Sequence, residues 1–143
     1  MTRFLLILCI ALVTSTAVAN TENNPADVSS FSLGIIEENS KGVRSGILGV
    51  SLNSGKDREF DTFLVVIPKP GVHNFSVIMS DRNGKVIDTI NHGVVTVTKT
   101  DHTHGMLSSW STDINTSRYV WFTIVDVFNG KRYTIGSFKF IIK

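Results

Sequence analysis

The chain has 143 residues, with 14 lysines and arginines against 12 aspartates and glutamates, a formal net charge of +2 and 42% hydrophobic residues. That near-neutral balance, with no run of like charge, gives no electrostatic reason to bind nucleic acid or an anionic membrane surface. The single cysteine, Cys9, lies in an N-terminal apolar run, so the rest of the chain has no thiol for a disulfide, an iron–sulfur cluster or a thiolate zinc site.

Residues 1–19 have the pattern of a signal peptide. Arg3 supplies the positive start, FLLILCIALV (residues 4–13) the apolar core, and Ala17-Val18-Ala19 the small residues a signal peptidase reads. The apolar run is shorter than the roughly 20 residues of a spanning helix, so no integral span is expected after cleavage. Cys9 sits inside the run rather than at the cleavage site, which argues against lipidation. Cleavage before Asn20 leaves 124 residues and removes one basic and no acidic residue, for a net charge of +1. One domain is expected at that length. A cysteine-free exported domain fits a bacterial envelope, so a periplasmic or secreted location is expected. Two glycosylation sequons, at Asn74 and Asn115, are the one feature that fits a eukaryotic host.

Residues 20–30 (NTENNPADVSS) are polar, contain Pro25 and read as a flexible arm; residues 31–143 are read as the folded domain. Residues 31–37 form the first expected strand and 38–42 a turn. Residues 43–52 carry Gly46 and Gly49 among apolar residues, a sign of a bulge or a close backbone approach. A charged turn (53–59) leads to an apolar strand over 60–67, ended by Pro68 and Pro70. Residues 72–80 alternate, with Phe75, Val77 and Met79 on one face. An Asn-Gly turn within 81–85 leads to a strand over 86–90; Asn91-His92-Gly93 reads as a break, and 94–98 as another strand. Residues 100–117 are the least regular, with room for one short strand around 106–110.

The strongest local signal comes last. Asn129-Gly130 is flanked by two long runs rich in β-branched and aromatic residues, which predicts a type I′ hairpin. The second arm alternates, with Phe138, Phe140 and Ile142 on one face and Ser137 and Lys139 on the other. The first arm is apolar on both faces, as expected of a central strand covered on both sides. Together these elements predict an all-β fold: an antiparallel β-sandwich, immunoglobulin-like, of about seven or eight strands. A small barrel is the competing architecture.

Few constellations carry chemistry. Asp101-His102-Thr103-His104-Gly105-Met106 brings together imidazoles and a thioether, donors suited to copper, the imidazoles also to zinc. In an extended segment His102 and His104 point the same way. His73 and His92 each read as a solvated histidine beside a turn. No Gly-x-Ser-x-Gly elbow is present, and Ser108, Ser109 and Ser111 read as loop hydroxyls. Glu37, Glu38, Glu59, Asp61 and Asp126 are the carboxylates a glycosidase-type pair would draw on, most of them at strand ends. Asp126, inside an apolar strand, is expected to face water beside Lys131. Trp110, Tyr119 and Phe128, with Trp121 and Phe122, offer aromatic surface for a sugar, peptide or protein.

The run FSVIMSDRNGKVIDTI followed by RYVWFTIVDVFNGKRYTIGSFKFIIK resembles the ending of many immunoglobulin-like exported modules. In those, an Asp-x-x-Gly-Lys turn precedes a strand and a Gly-x-Phe-x-Phe-type strand closes the domain. The resemblance covers about the last half of the chain and implies a fold, not an activity. The closing strand is also similar to that of periplasmic copper-carrier sandwiches, which place one histidine in the last hairpin and another at the mature N-terminus. Here those places hold Asn129, Gly130 and Lys131, and Asn20, so a copper site would rest on His102, His104 and Met106. The expectation is an exported, non-catalytic protein without cofactor that binds a protein or other envelope component through a loop end or strand edge. The alternative is copper or zinc binding by the 101–106 loop, and a hydrolase is the third reading.

Overall fold

A computed structural model describes residues 26–27, 31–52, 59–111 and 119–141 of the chain. The leader, residues 53–58, the second sequon and Ile142 lie outside the described residues. In chain order the elements are β1 Ala26–Asp27, β2 Phe31–Ile36, β3 Val43–Leu52, β4 Glu59–Pro68, β5 Gly71–Ser80, β6 Val86–Val97, β7 His104–Ser111, β8 Tyr119–Phe128 and β9 Lys131–Ile141. They form two sheets packed face to face, a five-stranded sheet in the order β1-β9-β8-β5-β6 and a four-stranded sheet in the order β2-β3-β4-β7. Pairing is antiparallel except for β1, which runs parallel to β9 with Ala26 opposite Phe140. Of the expected flexible arm, then, Ala26 and Asp27 are strand residues held by β9. Eight longer strands in two antiparallel sheets make the expected all-β sandwich.

The closing hairpin forms as the sequence demands. Asn129 and Gly130 have φ of 48° and 81°, and Phe128 pairs directly with Lys131, which leaves a two-residue turn of the primed kind. The other Asn-Gly site behaves differently. Asn83 keeps a negative φ, and the loop is stapled by Asp81, whose Oδ1 accepts from the backbone N–H of Asn83 (2.8 Å) and Lys85 (2.9 Å), with Gly84 in the left-handed region.

Between the sheets lies one apolar core. Trp110 of β7 meets Phe122 of β8 edge to face (5.5 Å between centroids), and Phe122 meets Phe140 of β9 in the same way (5.7 Å). Phe60, Leu64, Val77, Met79 and Ile124 fill the space around them. Fully burying each such side chain contributes about 1.5–3 kcal/mol. β8 is central, between β9 and β5, but it is not covered on both sides. Val120, Phe122, Ile124 and Asp126 point into the core, whereas Tyr119, Trp121 and Val127 are half-buried on the outer face.

The expected break at Asn91-His92-Gly93 is instead a bulge inside β6. Asn74 pairs with Val94 and Ser76 with Asn91, so two residues of β6, His92 and Gly93, oppose one of β5. Gly93 takes φ 82°, and its N–H is held by Asn91 Oδ1 at 2.7 Å. The bulge re-aims His92.

Candidate functional sites: a histidine seam and a bare sheet face

The four histidines gather along the open side of the sandwich, where β6 of one sheet faces β7 of the other. His73 lies deepest. It continues the inward alternation of Phe75, Val77 and Met79 and is fully buried. Its Nδ1 is 2.8 Å from Asp126 Oδ2, and its Nε2 is 2.7 Å from the carbonyl oxygen of Lys69. A carbonyl only accepts, so Nε2 carries a proton. The short Nδ1–Oδ2 contact needs one more proton between its two atoms, so the His73–Asp126 pair is neutral as a unit wherever that proton resides. Burial pushes the Asp126 carboxyl above its ordinary range, opposed by the hydrogen bond and charge of His73. The ring of His73 is stacked between Phe75 (5.3 Å) and Phe128 (4.7 Å). Gly42 permits this, because a Cβ there would lie 2.6 Å from Asp126 Oδ2. Two sequence expectations are thereby corrected. His73 is a core residue rather than a solvated turn residue, and Asp126 does not face water beside Lys131. Both follow from strand alternation, which the apolar neighbours of each residue enforce.

The ring stack continues outward. Phe75 stacks on His104 (6.1 Å), and His104 on the exposed His102 (6.1 Å). His104 is half-buried. Its imidazole is held below the ordinary histidine range by burial and then by the neighbouring His102 and His73. His92, aimed across the seam by its bulge, meets the buried Ser108 of β7, with Nε2 3.0 Å from Oγ. Burial and the proximity of His104 depress it likewise. Two half-buried imidazoles that favour the neutral form thus line the joint between the sheets.

Met106, the third member of the expected donor set, turns into the core with Ser108 and Trp110 and is buried. The structure therefore brings His102 and His104 together, and adds His92, but places the thioether among apolar side chains. Among the described residues no group of three or more histidine, cysteine or acidic side chains is arranged to hold a metal ion. The Ser108–His92 contact is the serine–histidine pair a hydrolase would use. The carboxylates of Asp126 and Asp61 are engaged elsewhere, by His73 and by Ser109 Oγ (2.7 Å).

Of the expected aromatic surface, Trp110 is a correction: it is buried, and its indole N–H donates to Thr62 Oγ1 (2.7 Å), which satisfies the one polar atom of the ring. Phe122 is equally buried. Phe128 is half-buried against His73. Tyr119 and Trp121 lie on the outer face of the five-stranded sheet beneath Lys139, whose Nζ is 5.1 and 5.7 Å from the two ring centroids. Lys131 covers Tyr133 in the same way at 5.7 Å.

The larger apolar surface is on the other sheet. Leu107 (70% exposed), Ile35 (64%), Phe31 (60%), Leu33 (51%), Phe63 (49%) and Ile47 (41%) all lie on the outer face of the four-stranded sheet. The strand register makes them neighbours. One row runs Ile35, Ile47, Val65, Gly105 across the four strands; the next runs Leu33, Gly49, Phe63, Leu107; the third runs Phe31, Ser51, Asp61, Ser109. The ring of Phe31 lies over Gly49 (3.2 Å from a Cβ placed there) and that of Phe63 near Gly105 (3.7 Å). No charge stands within the first two rows. The reason lies in β2: its inward positions are Ser32, Gly34 and Ile36, since the ring of Phe138 fills the space at Gly34, where a Cβ would approach to 2.4 Å. The larger residues are left to face outward. The alternation of FSLGII was the available signal, and it was missed because large apolar residues normally mark the core side of a strand.

No protein-family model matches the chain, and no curated protein sequence matches it.

Proposed function

We propose that this chain is an exported, non-catalytic recognition module of immunoglobulin-like topology, which binds a protein or other cell-envelope component. Its recognition surface is the outer face of the four-stranded sheet rather than a loop end or strand edge. The observation that carries this reading is the contiguous, uncharged apolar face spanning β2, β3, β4 and β7. Single exposed apolar residues are ordinary, but a contiguous patch of several rows marks a surface that another molecule covers. The strand order supports the topology: a β3-β4-β7 sheet and a β6-β5-β8-β9 sheet, with the chain crossing between them at β4–β5, β6–β7 and β7–β8, is a Greek-key sandwich to which β2 adds an edge. The leader read in residues 1–19 supports export to the periplasm or beyond.

The test is capture from envelope extract with the unaltered protein and with Leu107→Glu. Leu107 is the most exposed of the six, so its substitution leaves the core intact. A component retained by the unaltered protein and lost with the variant fits the proposal. Equal retention by both contradicts it.

A second reading, copper or zinc binding, has one observation in its favour, the gathering of His92, His102 and His104 at one seam. Calorimetric titration of the protein with each metal tests it: stoichiometric uptake lost in His102→Ala/His104→Ala supports the reading, and no uptake removes it.

A further inference from the structure

The four histidines differ in what holds them. His73 is sealed against Asp126 and the Lys69 carbonyl, and His92 Nε2 is engaged by Ser108 Oγ at 3.0 Å. His102 and His104 instead stack on each other, with 6.1 Å between centroids and 23° between planes. Among the described residues no hydrogen bond engages either ring. They are placed by different means. His104 opens β7 on its inward side and is fixed by its stack on the buried Phe75. His102 comes two residues earlier in an extended run, so it falls on the same side, and it is exposed. Two imidazoles that share one ion, each nitrogen about 2.0 Å from it, have centroids roughly 5–6 Å apart. A small turn of the exposed ring brings the observed pair to that spacing.

From this placement we infer that His102 and His104 chelate Cu(II), in preference to Cu(I) or zinc. The inference rests on the second reading above and names its ion and its ligands. Soft sulfur donors select Cu(I). Here Met106, the next residue on that side, is 5% exposed and packed in the core, and the chain beyond Cys9 has no thiol. Zinc takes three or four protein ligands, and this pair supplies two. An ion of tetragonal nitrogen and oxygen preference accepts two imidazoles and fills its other equatorial positions with water or backbone. Cu(II) and Ni(II) have that preference, and Cu(II) stands above Ni(II) and zinc in affinity for such donors. A ligating imidazole must be neutral, and burial, with His102 and His73 nearby, already favours the neutral form of His104. The leader read in residues 1–19 points to a compartment outside the reducing cytosol, where the oxidised ion persists. With one ligand anchored and one exposed, the site is open to solvent, and the ion it holds is exchangeable.

The test is titration of the purified protein with Cu(II), with zinc and, under anaerobic reducing conditions, with Cu(I), for the unaltered chain, His102→Ala, His104→Ala and Met106→Leu. Electron paramagnetic resonance is recorded on each Cu(II) sample, and circular dichroism confirms that each variant folds. The pair predicts one Cu(II) per chain, with modulation from imidazole nitrogens in the resonance signal. It predicts a dissociation constant raised about 10-fold or more in either histidine variant, since even the loss of a group that only supports a ligand costs that much. Met106→Leu is expected to leave Cu(II) binding as it is. Cu(I) bound more tightly than Cu(II) and lost in Met106→Leu, or zinc bound as tightly as Cu(II), overturns the inference while the broader metal reading stands. Cu(II) uptake undiminished in both histidine variants places the ion elsewhere and also overturns it. No uptake of any of the three ions removes the metal reading and the inference together.

Discussion

The two sheets of this sandwich handle apolar and polar groups in opposite ways. The five-stranded sheet carries a polar pair, His73 and Asp126, inside the core, and on its outside the rings of Tyr119 and Trp121 are covered by the stem and charge of Lys139. The four-stranded sheet has an outer face whose large apolar residues carry no such cover. The outer aromatic rings of one sheet lie under a lysine, with Val72 and Val94 exposed on the same sheet; the outer apolar residues of the other form a contiguous unscreened patch. The same alternation rule acts on both, so the difference lies in which residue types occupy the outward positions.

That contrast can be broken at several points. The largest expected effect is on the inside of the five-stranded sheet. Asp126→Ala removes one member of a buried pair and leaves the other without its partner, at a cost of about 3–5 kcal/mol in denaturant unfolding. Asp126→Asn is expected to cost much less, because its amide donates to Nδ1 while Nε2–H stays on the Lys69 carbonyl. Equal losses for the two substitutions would mean that a charge on Asp126 is essential. On the four-stranded sheet, Trp110→Ala in the core is expected to cost about 3–5 kcal/mol, whereas Phe63→Ser on the bare face of the monomer changes stability by only about 0.5 kcal/mol. A large loss from Phe63→Ser at concentrations where the chain is monomeric would make that face structural.

The seam between the sheets gives a pH prediction. The fold holds His92 and His104 below the ordinary histidine range of 6.5, so it favours their neutral forms. Their contribution to stability is fully present above pH 6.5 and is lost as the pH falls from there through their lowered folded values. The denaturation midpoint is expected to fall between pH 7.5 and pH 5, and less so in His92→Gln. Asp126, raised in the fold, acts with the opposite sign, so the comparison is made between the unaltered chain and His92→Gln, in which the Asp126 contribution is common to both. A midpoint that rises on acidification across this window would contradict the seam as described. A small effect, comparable to that of Phe63→Ser, is expected from Lys139→Ala, which removes the cation over Tyr119 and Trp121. It should cost about 0.5–1 kcal/mol and shift the emission of Trp121 toward that of a more exposed indole.

How far the sequence reveals this arrangement depends on whether local pattern or long-range packing decides each residue. The closing hairpin was legible because Asn129-Gly130 fixes its turn locally. The inward set Phe75, Val77 and Met79 was legible because the period is two. His73 shares that period, and extending the alternation by one step would have placed it in the core; Asp126 follows in the same way from Phe122 and Ile124. What no local rule reveals is that Phe138 fills the space at Gly34, which turns Phe31, Leu33 and Ile35 outward. Nor does any local rule show that a bulge aims His92 at Ser108. Met106 reads as a ligand only if residues 101–106 form a loop; β7 instead begins at His104 and sets Met106 on the core side.

The most direct measurement is site-specific photo-crosslinking in cells that produce the chain, with the same photoreactive side chain placed at Leu107 on the bare face or at Ile78 on the outer face of the five-stranded sheet. The account predicts a discrete adduct from position 107, of twice the mass of the chain if the partner is a second copy, and none from position 78. Adducts of equal yield from both positions, or from position 78 alone, would contradict it.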